Sequence, residues 1–198
     1  MATMSRAAPD TQTRILDIAE RLVQKRGFNG FSYADIAAEL KITTASLHYH
    51  FAGKAELGRA LVARYSERFF EALVAIEAHQ KDAPARLAAY ANLYAAVLRE
   101  KRLCLCGMLA AEYDTLPKAM RESVLRFFDE NELWLTRVLE DGRSAGSLDF
   151  SGRSEEAARA IVCGLEGAML VARPYGDIVR FQSAAQQLIA SITSQSRP

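Results

Sequence analysis

Cysteine, proline and glycine are all scarce in this chain of 198 residues, at three, five and eleven. A low, odd cysteine count excludes a disulfide-stapled secreted scaffold and suits a reducing compartment, so the expected location is the cytoplasm. Sparse proline and glycine predict long uninterrupted segments with short connections. Charge of one sign is also lacking: 25 Lys+Arg face 24 Asp+Glu, so any DNA contact has to come from a local basic patch. The most apolar late stretch, 157–172, carries Arg159 and Glu166, which makes it a buried-helix candidate and not a membrane span. The first fourteen residues are polar and lack the apolar centre of a signal peptide.

Catalytic equipment is equally thin. There is no glycine-rich phosphate loop and no nucleophile elbow. The three histidines are His48, His50 and His79; the first two fall two apart on one expected helix, where side chains diverge. Cys104-x-Cys106 lacks the spacing of a zinc ligand pair, and no second pair exists. Neither a metal, a cofactor nor a catalytic residue is expected, and an enzyme reading has little support.

What the chain does have is helical periodicity nearly throughout, which predicts an all-α protein. Residues 1–10 read as a flexible tail. A first helix is expected over 11–26, with Ile15, Ile18, Ala19 and Leu22 in its apolar stripe and Gly27 as its stop. A second starts at Ser32, with Asp35 completing a weak capping box. A third follows Ile42, with Thr43 as cap. Helices are then expected from Lys54, over 84–101, 106–113, 117–141, 154–172 and 177–193. The first three make a small unit, residues 1–53; the fourth runs out of it into a larger helical part, residues 54–198.

Helices two and three are short, about three residues apart, and joined by few apolar positions: Ile36, Ala37, Leu40, Ile42 and Leu47. That economy suits two helices crossing steeply through a small residue, Ala37, as in a helix-turn-helix. In such a motif the second helix offers its N-terminal residues to the major groove. Thr43, Thr44 and Ser46 supply hydroxyls there, and His48, Tyr49 and His50 supply hydrogen-bonding rings. From Lys41 to Lys54 there are two lysines and no carboxylate.

The segment from Phe31 to Leu57, FSYADIAAELKITTASLHYHFAGKAEL, resembles the DNA-binding domain of the TetR family of transcriptional regulators, as do Arg14-Ile-Leu-Asp-Ile-Ala and Arg26-Gly-Phe before it. The resemblance implies a DNA-binding regulator, by family habit a repressor of a palindromic operator, with an N-terminal reader and a ligand-binding, dimerising C-terminal body. It implies a phosphate contact for Tyr33, base or adjacent backbone contacts for Thr44, Ala45, Ser46 and Tyr49, and phosphate-facing positions for His50 and Lys54. His48 stands where tyrosine is common, Thr44 where a basic residue is frequent, and Lys41 where glycine is usual in the turn.

Two features of the body are read from its own residues. Phe181, Ala185, Leu188 and Ile192 continue a 3-4 spacing from Ile178, and the preceding helix sets Gly164 and Ala168 among Ile161 and Leu165. Both patterns suit close helix packing, and two such helices from each subunit would make a four-helix homodimer interface. Tyr90 and Tyr94 share one helix face; Phe127, Asn131 and Trp134 share another, in which Asn131 interrupts an apolar stripe. Aromatics with a few polar atoms suit a pocket for a small-molecule inducer. Cys104-Leu-Cys106-Gly-Met-Leu-Ala-Ala-Glu112 further resembles a segment of electrophile-responsive members of the family. This gives an alternative reading in which Cys104 joins the pocket as a sensor, partly exposed and with its pKa lowered by Lys101 or Arg102.

Overall fold

The computed structural model describes residues 10–194. Among them are nine α-helices, two short 3-10 turns and no strand. The helices are α1 (Thr11–Arg26), α2 (Tyr33–Leu40), α3 (Thr44–His50), α4 (Lys54–His79), α5 (Ala83–Arg99), α6 (Leu105–Ala111), α7 (Lys118–Ser144), α8 (Ser154–Ala172) and α9 (Ile178–Ala190). The tail expected over 1–10 lies outside the described residues except for Asp10. That residue is the N-cap of α1, its carboxylate accepting the Thr13 N–H at 2.7 Å.

Local chemistry sets the other boundaries in the same way. Ser32 and Asp35 form the capping box that starts α2. Asp82 caps α5 and Asp177 caps α9, each accepting a first-turn N–H. α6 is shorter than its periodicity predicts: Cys104 is its N-cap, and after Ala111 the chain tightens into a 3-10 turn, Tyr113–Thr115. α7 runs three residues beyond its expected end at Asp141, because nothing before Ala145 breaks it.

α1, α2 and α3 form a head. Ile15, Ala19, Ile36, Leu47, Phe51 and Leu57 are fully or almost fully buried at its centre, each of the large side chains worth about 1.5–3 kcal/mol against exposure. The turn between α2 and α3 bends at Lys41, a left-handed residue (φ 56°, ψ 44°), with the Ile42 N–H returning to the Ala37 carbonyl at 3.1 Å. α4 starts in the head and continues into the body, where α7, α8 and α9 pack in sequence and α5 closes against α7 and α9. Gly58 admits this crossing: a Cβ there would collide with Phe28 of the head and Met120 of α7.

Candidate nucleic-acid interface and the body behind it

α3 is held by one buried residue, Leu47, and presents nearly everything else outward. The Thr43 hydroxyl accepts the Ser46 N–H at 3.2 Å and lies 3.1 Å from the Ser46 hydroxyl, so the helix start is set by the side chains that would meet DNA. Thr44, Ala45, Ser46 and His48 are exposed, and Tyr49 is 87% exposed. A tyrosine that bare has no packing role in the head.

Tyr33 and Lys54 are both engaged within the head. The Tyr33 hydroxyl donates to the Phe51 carbonyl at 3.1 Å, and its ring lies 4.8 Å from that of His48. Burial pushes its pKa up. The Lys54 ammonium donates to the Phe31 carbonyl and sits over the Phe31 and Phe28 rings, 4.2 and 4.9 Å from their centroids. Without DNA it is bonded within the head; desolvation lowers its pKa. The reason is local: Lys54 opens α4 directly beneath two aromatic faces and a free carbonyl. His50 is half-buried, edge-on to the Tyr49 ring.

The expected pocket residues do come together, but as packed core. Tyr90 stacks on Trp134 at 5.5 Å, donates to the Asn131 side chain at 2.9 Å and lies 3.0 Å from the Tyr94 hydroxyl. Phe127 packs on Tyr65 and Phe69. Asn131 is satisfied by Tyr90 and the Phe127 carbonyl, while the Trp134 indole N–H is buried without a partner. The cavity at the edge of this cluster, about 260 Å³, touches Tyr94 and Cys104 and not the other four.

Cys104 is buried, receives a hydrogen bond from the Tyr65 hydroxyl at 3.6 Å and caps the Gly107 N–H. Burial, with the Glu166 carboxyl beside it, pushes its thiol well above the usual range. The expected partial exposure and lowered pKa are therefore absent. Arg102 is turned away to Glu100 and Gln24, and the left-handed Lys101 is exposed.

The seam assigned to a partner subunit is also corrected in part. Ile161, Leu165, Phe181 and Ala185 are buried inside the single chain. A Cβ on Gly164 would stand 2.7 Å from Leu188, so the small residue serves the contact of α8 with α9. Ala168, Leu188 and Ile192 are half-buried against the same core. Small-residue spacing reports close packing, and the nearest helix turned out to belong to the same chain. The exposed side of α8 instead carries Ala160, Cys163, Gly167, Leu170 (62% exposed) and Val171 (56%).

Periodicity did not reveal the contacts that join head to body. Glu112, after α6, accepts the Phe28 and Asn29 N–H groups, and Asn29 bonds Thr115 at 2.8 Å. Arg173 donates to the Lys25 carbonyl, and the Leu103 N–H to the Gln24 carbonyl at 3.1 Å. Arg64 and Arg68 of α4 hold Glu20 of α1. The end of α1 is thus capped largely by body residues.

A helix-turn-helix head with a bare recognition helix, capped onto a helical body, defines a DNA-binding transcriptional regulator. Residues 15–61 match the family model for bacterial regulatory proteins of the tetR family, and residues 83–188 match the tetracyclin repressor-like C-terminal domain. The chain belongs to the TetR family. Solved TetR-family regulators from Agrobacterium tumefaciens and Legionella pneumophila are 32% and 31% identical, with TM-scores of 0.89 and 0.84. They cover 92% and 94% of this chain and 97% and 100% of their own. The HTH-type transcriptional repressor NemR of Escherichia coli K12 is 27% identical over 174 residues, 83% of this chain and 84% of the relative. These relatives are all regulators of transcription.

Proposed function

We propose that the protein is a repressor that binds a palindromic operator as a homodimer and leaves it when a small molecule enters the body. Residues to 53 read the operator through Thr43, Thr44, Ala45, Ser46, His48, Tyr49 and His50; the remainder holds the inducer and the partner. The exposed α8 strip around Gly167 is the surface we assign to the second subunit.

One observation carries the ligand-release reading. The cavity of about 260 Å³ is walled on one side by Glu20 and Gln24 of α1 and on the other by Tyr65, Phe69, Tyr94, Cys104 and Met169 of the body. An occupant would bear directly on the head's first helix at the place where the body caps it. Rotating the two heads of a dimer changes the spacing of their recognition helices, which a pair of half-sites tolerates poorly. The size of the response is limited to the ligand's differential affinity for the two arrangements. Burial of the Cys104 thiol favours a noncovalent inducer over the sensing alternative.

The test is selection of bound duplexes from a random pool with the full-length protein, followed by a compound screen for release. A selected sequence with two inverted half-sites, released by at least one compound that binds the protein, supports the reading. Failure to enrich any sequence over nonspecific binding rejects it.

A further inference from the structure

Between α6, α7 and α8 lies another cavity, about 380 Å³, separate from the one at α1. Its walls are largely apolar: Leu103, Met108, Ala111, Phe128, Val162 and Leu170. Two carboxylates, Glu132 and Glu166, also line it, and no lysine or arginine does. Glu132 is already paired, with Arg159 at 3.2 Å. Glu166 is not. Its Oε1 is buried with no hydrogen-bond partner, and among the described residues it makes no salt bridge. A carboxyl oxygen buried without a partner among hydrocarbon walls is costly, and native structures rarely keep one without a use.

The backbone around Glu166 is shaped to admit it. Gly107, in the first turn of α6, faces the Glu166 carboxyl so closely that any Cβ there would collide with it. The other side of the carboxyl meets the Cys104 thiol, a weak partner that leaves Oε1 free. Burial raises the carboxyl's pKa to about 7, and a cation beside it would favour its ionised form.

We propose that this cavity binds a small organic cation, an ammonium with a short apolar body, whose N–H groups bond Glu166 while its hydrocarbon fills the apolar walls. The volume fits a compact ligand near the lower end of the usual range for small-molecule pockets. This site is separate from the cavity at α1; a contribution to DNA release through it rests on the ligand-released reading, and binding does not. The rim residues Cys163, Gly167 and Leu170 belong to the α8 strip assigned to the partner subunit, so an occupant stands where it can bias subunit geometry.

The experiment compares charged and neutral isosteres on the full-length protein by isothermal titration calorimetry: butylammonium against butanol, and benzylammonium against benzyl alcohol. At pH 8 the ammonium member of at least one pair should bind about tenfold tighter, as one charge-assisted hydrogen bond supplies. Glu166→Gln, checked for native helicity, should bring that ratio close to one. Ala111→Phe, at an exposed position on the cavity wall, should weaken ammonium and alcohol together. No ammonium binding up to millimolar concentration, or a charge preference that survives Glu166→Gln, overturns the proposal. So does an ammonium site untouched by Ala111→Phe, since the cation would then sit elsewhere. Binding of the selected duplex is followed separately. Operator binding that ignores an ammonium held at Glu166 refutes the inducer role alone, whereas ammonium binding by a protein that selects no DNA refutes the repressor reading.

Discussion

The Glu112 carboxylate, at the end of α6, accepts the backbone N–H of Phe28, 84 positions earlier in the chain. It bonds the next amide as well and packs against Gly27, whose positive φ of 83° lets the chain turn around it. One body side chain therefore supplies the acceptor for a turn inside the DNA-reading head. Hydrogen bonds to charged groups contribute about 1.5–3 kcal/mol, and an orphaned amide loses more than the bond. Glu112→Ala should lower stability to denaturant by about 2 kcal/mol and speed hydrogen exchange at Phe28 and Asn29. Unchanged exchange at those two amides would show that the head holds its turn alone.

Lys41 has the opposite character, a local strain with no compensating contact in its own side chain. A non-glycine residue in the left-handed region gives up about 1 kcal/mol relative to glycine, less the extra chain entropy that glycine loses on folding. Lys41→Gly should raise the denaturation midpoint slightly, by up to about 0.5 kcal/mol in stability. A loss of stability would mean that the lysine contributes something the turn geometry does not account for.

Lys54 is bonded within the head, so its removal should act on stability first. Lys54→Met gives up a cation–π pair and a charged hydrogen bond, about 1–2 kcal/mol together after the partial exposure of the site is discounted. The log–log salt dependence of DNA binding should stay near the wild-type slope. A slope shallower by about 0.9 would instead identify an outward phosphate contact formed on binding.

Two substitutions separate the inner and outer faces of the last helices. A Cβ on Gly167 meets nothing within 4 Å inside the chain, so Gly167→Glu should leave the fold intact, and sedimentation should report monomers. Phe181 is buried, so Phe181→Arg should unfold the body, a core loss of about 3–5 kcal/mol. A folded Gly167→Glu dimer would move the interface off this strip.

Glu166 gives stability a defined pH window. Its folded pKa of about 7 lies above the ordinary value of 4.5, so the folded state holds the extra proton. That contribution is complete below about 4.5 and disappears as pH rises through about 7. Cys104 bonds it, and Tyr65, Tyr90, Tyr94 and Cys106 lie within its electrostatic reach; all five are pushed upward and neutral across the window. Glu132, in the same cavity, is held by Arg159. Without ligand, wild type should lose up to about 3 kcal/mol relative to Glu166→Gln between pH 4.5 and 8. Parallel stability curves for the two proteins would place the proton elsewhere.

Helix number, the Gly27 stop and the caps at Ser32–Asp35 and Thr43 were legible in the amino-acid order, because each depends on contacts within a few residues. Thr43 and Asp35 bond backbone amides three positions away, and Leu47 faces inward by its place in a 3.6-residue period. The partners of long side chains were not legible. That Phe28 and Phe31 fold over the Lys54 ammonium is not visible in the order of residues. A glycine stripe reads as a subunit seam until Leu188 is found against Gly164. Glu112, Arg173 and Glu166 act on segments dozens of residues away, or face a cavity that exists only after α6, α7 and α8 have packed. Periodicity specifies which face of a helix is apolar; which neighbour that face meets, and which charges are caught between them, is decided when the helices close on one another.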